Sequence, residues 1–129
     1  MTTRHAAVWL DHSEAKIFHV DDERFDPKIV QPRHHLRRHS IITAEHSHPA
    51  DLEHYFHAIA QALSDVAEIL VVGPGSAKLE FIKHVHKHEH PLEAKIVGVE
   101  TVDHPTDGQL VAFAHHTFHG KDRLGGTVP

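Results

Sequence analysis

The chain has 129 residues, 40% of them hydrophobic and 24% charged, which is enough for one domain with a proper core and too few for two. It contains no cysteine, so disulfides, thiolate catalysis and cysteine-type zinc sites are excluded. Its net charge of −5 argues against a general nucleic-acid binder, yet protonating all 18 histidines would carry that charge to +13, and imidazole titrates near pH ~6.5.

The first residues carry no apolar stretch long enough for a signal peptide before Asp11 and His12, and no apolar run approaches the length of a membrane helix. The expectation is a soluble cytosolic protein. Residues 6–10 and 15–20 read as two strands of a hairpin joined by the turn Asp11-His12-Ser13-Glu14. Residues 25–31 supply a third strand, with Pro27 marking its start or an edge. Residues 32–48, bounded by Pro32 and Pro49, have no clean period and form the longest candidate loop.

Pro49 suits the first position of a helix whose stripe is Leu52, Phe56, Ile59, Leu63 and Val66. Residues 69–72 form a buried strand. Ser76 is placed to cap a helix over about 77–88, with Leu79, Ile82 and Val85 inward and Pro91 ending the stretch. Residues 95–102 form the last strand. A final helix begins around Asp103–Asp107, buries Leu110, Phe113, Ala114 and Phe118, and is expected to end at Gly120. Residues 121–129 read as a flexible C-terminal tail beyond a single domain of residues 1–120. The order β-β-β-α-β-α-β-α predicts an α/β fold: a mixed five-stranded sheet with flanking helices, ribonuclease H-like in outline. Its exposed strand edges would permit a homodimer.

The run Ile69-Leu-Val-Val-Gly-Pro-Gly-Ser-Ala-Lys-Leu-Glu-Phe-Ile82 resembles a segment of the middle domain of archaeal and eukaryotic class-1 peptide release factors and Pelota. Lys95-Ile-Val-Gly-Val-Glu-Thr-Val-Asp103 resembles the strand that follows there, and Asp107-Gly108-Gln109-Leu110 sits where that group often has Gly-x-x-Leu. The resemblance covers mainly residues 50–119. It implies a stand-alone bacterial relative of that domain, of the translational machinery type. The release factors carry Gly-Gly-Gln between the third strand and the first helix. This chain has Arg33-His34-His35-Leu36-Arg37-Arg38-His39 there instead, and Gly125-Gly126-Thr127 does not substitute. Peptidyl-tRNA hydrolysis by that route is therefore not expected.

Four groups of residues are candidates for function. Lys28, Arg33, Arg37 and Arg38 lie in a span from Pro27 to Ala44 without an acid, and His34, His35 and His39 add acid-dependent charge. Such a run offers RNA phosphates sequence-independent contacts, and its arginines can stack on unpaired bases. Gly73, Gly75 and Ser76 form a strand-to-helix turn whose glycines tolerate positive φ and whose helix N-terminus attracts anions. His84 and His88 share a helix face and could hold a divalent metal, as could His115 with His119 or His54 with His57, though a tight site needs further ligands. Asp11 and Asp103 fall near strand ends, where a nuclease of this shape would hold metal ions. The expectation is a non-enzymatic accessory protein that binds the ribosome, tRNA or rRNA, without a resident cofactor and with Zn or Ni bound only adventitiously. A histidine-rich metal-binding protein and a metal-dependent nuclease are the other two readings.

Overall fold

The computed structural model describes residues 5–21, 27–32 and 49–127. Five strands form one sheet: β1 (His5–Leu10), β2 (Ala15–His19), β3 (Lys28–Val30), β4 (Glu68–Gly73) and β5 (Ile96–Thr101). Their order is β3-β2-β1-β4-β5. β1 pairs antiparallel with β2 and parallel with β4, β2 pairs antiparallel with β3, and β4 pairs parallel with β5. The helices are α1 (Pro49–Ala62), α2 (Ala77–His88), the short α3 (His90–Glu93) and α4 (Asp107–Thr127). This is the mixed α/β sheet anticipated from the element order, and its strand order suits the ribonuclease H-like description.

Side-chain alternation along the strands builds two cores, because successive residues of a strand face opposite sides of the sheet. Ala6, Val8 and Leu10 of β1 join Ile17, Ile69 and Val71 on one face. That face is covered by Tyr55, Phe56 and Ile59 of α1 with Leu63 just beyond it, by Ala77, Phe81 and Val85 of α2, and by Leu92 of α3. Ala7 and Trp9 join Phe18, Leu70 and Val72 on the other face, where α4 supplies Leu110, Val111, Ala114 and Phe118. Strands β1 and β4 are buried on both sides, which explains their unbroken apolar wording.

Several local expectations are corrected. Leu79 does not face inward but is 54% exposed. The buried stripe of α2 instead runs Ala77, Phe81, Val85, at steps of four. Ser76 does not cap α2 with its hydroxyl: its backbone is already helical, its carbonyl accepts from the N–H groups of Leu79 and Glu80, and its Oγ donates to Glu80 Oε2 at 3.1 Å. Pro91 does not simply end the helical stretch, since it lies in the first turn of α3, where a missing N–H costs nothing. The last helix runs through Gly120 to Thr127, so 121–127 are helical rather than a loose tail. Glycine costs a helix roughly 1 kcal/mol but stops it only when it turns left-handed, and no described residue has positive φ.

Helix α4 starts with a feature absent from the expectations. Thr106 Oγ1 accepts from the Gln109 N–H at 3.1 Å, and Gln109 Oε1 accepts from the Thr106 N–H at 2.9 Å. This reciprocal capping box satisfies two helix-end donors. Nearby, the Trp9 indole N–H donates to the Asp103 carbonyl at 2.8 Å, tying the end of β1 to the connection that follows β5.

Candidate functional site

Of the basic run, the structure describes Lys28, which stands exposed on the edge strand β3 opposite Ile17. Arg33, His34, His35, Arg37, Arg38 and His39 lie outside the described residues, between β3 and α1 in the chain. The hairpin and the first helix thus bracket the segment that sequence reasoning assigned to RNA.

The Gly73–Ser76 turn is shaped by closeness rather than by left-handed backbone. A β-carbon on Gly73 would lie 2.3 Å from the Leu10 carbonyl oxygen, whereas one on Gly75 would meet nothing within 4 Å. The buried Lys78 ammonium donates to the Gly75 carbonyl at 2.6 Å and pins the turn. The place beside the Ser76 hydroxyl is held by the carboxylate of Glu80, which also lies 3.2 Å from His12 Nε2. The chain itself supplies the anion next to this turn.

The carboxylates named for a nuclease each have local partners. Asp11 Oδ1 accepts from the N–H groups of Ser13 and Glu14 at 2.7 and 2.9 Å, fixing the β1–β2 turn. Tyr55 adds a third tie by donating its hydroxyl to the Asp11 carbonyl at 2.8 Å. The Asp103 side chain is 92% exposed and is engaged by His104.

Histidines and glutamates form a chemically dense cluster between α1 and α2. Glu53, His54 and His57 of α1 face His84 and His88 of α2 and Glu89 at the α2–α3 joint across an open cleft with a cavity volume of about 350 Å³. Glu89 Oε2 lies 2.7 Å from His57 Nδ1 and 3.2 Å from His84 Nε2. The His84 ring is buried, with ring centroids 5.7 Å from Phe56 and 5.0 Å from His88. Partial burial of Glu89 acts to raise its carboxyl pKa, but hydrogen bonds and charge from His57 and His84 outweigh that and hold it below the ordinary carboxylate range. A second carboxylate, Glu93, is held low by the imidazoles of His86 and His90.

His84 and His88 share a face, as their spacing required. Among the described residues no three histidine, aspartate or glutamate side chains form a group that could hold a metal ion. The imidazoles of His57 and His84 are engaged by Glu89. His115 and His119 stack edge-on, with ring centroids 5.5 Å apart.

Among known structures the chain is similar to Pelota of Thermoplasma acidophilum, with a TM-score of 0.55 and 22% identity over 83% of this chain and 30% of that one. It is similar to an archaeal translation termination factor, aRF1, with a TM-score of 0.56 and 14% identity over 95% of this chain and 41% of that one. The fold is the one they share. It also matches S. cerevisiae Dom34, a translation termination-like factor involved in RNA quality control pathways and interacting with Hbs1, with a TM-score of 0.52, 14% identity and coverage of 76% of this chain and 29% of that one. The chain thus spans less than half the length of each of these proteins. No protein-family model and no curated protein matches it. No described helix is long and apolar enough to cross a membrane.

Proposed function

We propose that this chain is a translation-associated accessory protein that binds the ribosome, or its tRNA or rRNA, in the cytoplasm through Lys28 and the arginine–histidine run 33–39, and that it performs no bond cleavage. The observation that carries this reading is the shared fold: a Pelota- and aRF1-like sheet and helices account for most of the chain. The segment between β3 and α1 holds three arginines and no acid from Arg33 to Ala44. Polyanionic RNA is the partner such a segment suits, since each neutralised phosphate releases counterions and raises affinity. Gly-Gly-Gln is missing from that segment, which favours engagement without hydrolysis, as in ribosome rescue or hibernation under stress.

The test is co-sedimentation of the full chain with ribosomes over a salt series. The double substitution Arg37→Ala, Arg38→Ala is expected to weaken association and to flatten the logarithmic salt dependence by about 1.5, the slope of two phosphate contacts on a single strand. Affinity for RNA is also expected to rise between about pH 7.5 and 6, as imidazoles charge. Unchanged sedimentation of the double variant refutes the assignment.

A further inference from the structure

The α1–α2 cleft is lined by six side chains, and all six carry an acid or an imidazole: Glu53, His54, His57, His84, His88 and Glu89. They come from both helices and the joint after α2, so their charges act across the packing seam. With every imidazole neutral the cleft carries two uncompensated negative charges. With every imidazole protonated it carries two positive ones, and two protons balance it. The binding contacts are already made: one oxygen of Glu89 stands within hydrogen-bond distance of His57 on α1 and of His84 on α2.

We propose that this cleft is an acid-operated latch, in which protons taken up by its imidazoles tighten the docking of α1 against α2. His57 is the moving part, 54% exposed on α1, while His84 is buried and Glu89 is only 19% exposed. A neutral imidazole still donates one hydrogen bond to Glu89. A protonated one adds charge–charge attraction to a bond that the carboxylate already makes charge-assisted. His88, with its ring 5.0 Å from that of His84, sets the limit. Charging both of those rings together introduces repulsion, so the latch is tightest near two protons and loosens again with more. The carboxyl of Glu89 is held low by its two partners, so the anion persists below the ordinary carboxylate range and is lost only as pH falls through that lowered value. The latch does not depend on the translation reading. It does bear on the same region, because α1 begins ten residues after His39, the last residue of the basic run.

The experiment is hydrogen exchange of the full chain in EDTA-containing buffer, read as protection factors of the α1 amides from about pH 5 to 8. Protection around His57 is expected to peak near pH ~6 and to exceed its value at pH 8 by about threefold, after discounting for the exposure of His57. Glu89→Gln keeps an acceptor but no charge and is expected to flatten the profile. His57→Gln, at an exposed position where misfolding is not a concern, is expected to flatten it as well. His86→Gln, which disturbs only the neighbouring Glu93 pair, is expected to leave it unchanged. A flat profile in the unaltered chain, an undiminished one in both Glu89→Gln and His57→Gln, or one that appears only without EDTA overturns the proposal, the last by assigning the effect to a metal ion.

Discussion

Replacing Gly73 with alanine puts a methyl carbon 2.3 Å from the Leu10 carbonyl oxygen. A relaxed carbon–oxygen contact needs about 1 Å more, and a β-carbon fixed by its own backbone meets a backbone oxygen, so no side-chain rotation relieves the clash. Gly73 also pairs with Thr101 of β5, and its carbonyl accepts from the Val102 N–H at 3.1 Å. Moving β4 away from Leu10 therefore strains the ladder on its other side. Overpacking of this kind costs about 1–3 kcal/mol, and one or two lost ladder bonds at about 1 kcal/mol each give the same range. For a chain of this size that corresponds to a drop of roughly 5–12 °C in melting temperature. Thermal unfolding followed by circular dichroism measures it. Gly75→Ala is the internal control: its β-carbon meets nothing and its φ is not positive, so it is expected to melt with the parent chain or slightly above it. A Gly73→Ala variant that melts within about 2 °C of the parent would show that the close approach is not a constraint and would refute the reasoning.

Tyr55 is the only tyrosine, and burial together with the charges of Asp11 and Glu14 pushes its phenol well above the ordinary range. The folded chain should show no phenolate absorbance at about pH 11, where a free tyrosine is ionised. A raised pKa leaves stability intact below the unfolded value near ~10 and erodes it above, so phenolate should appear together with unfolding; a smooth titration in a still-folded chain would contradict the burial. Tyr55→Phe should cost about 1 kcal/mol, measured by urea unfolding, through loss of its bond to the Asp11 carbonyl. Gly108→Ala, in the first turn of α4 with open space around it, should stabilise by about 0.5–1 kcal/mol, and a lowered melting temperature would count against the capping-box geometry at Thr106 and Gln109.

Much of the architecture was legible because hydrophobic period tracks burial. The unbroken apolar run 69–72 announced a buried strand, and the stripe containing Phe56 and Ile59 announced the inner face of α1. Leu79 is exposed despite its size, because Ala77 takes the buried place on α2 and Lys78 is buried with its ammonium on the Gly75 carbonyl. The capping box at α4 is spelled in the wording Thr-x-x-Gln. The cleft was not available at all. His54 with His57 and His84 with His88 each stood out as pairs, but only the packing of α1 on α2 brings both pairs to Glu89. Spacing along one helix says which residues share a face and nothing about what that face meets.

The parallel pairing of β1 with β4 joins residues more than sixty positions apart, with His5 beside Glu68. Everything between them, including the arginine-bearing stretch, is enclosed in a loop that the sheet's central seam must close. Closure entropy grows only logarithmically, by about 0.6 kcal/mol per doubling of the enclosed length. Residues added or removed between β3 and α1 are thermodynamically cheap, so descendants of this scaffold are at liberty to rewrite that stretch for a new target while the seam and its two cores stay as they are.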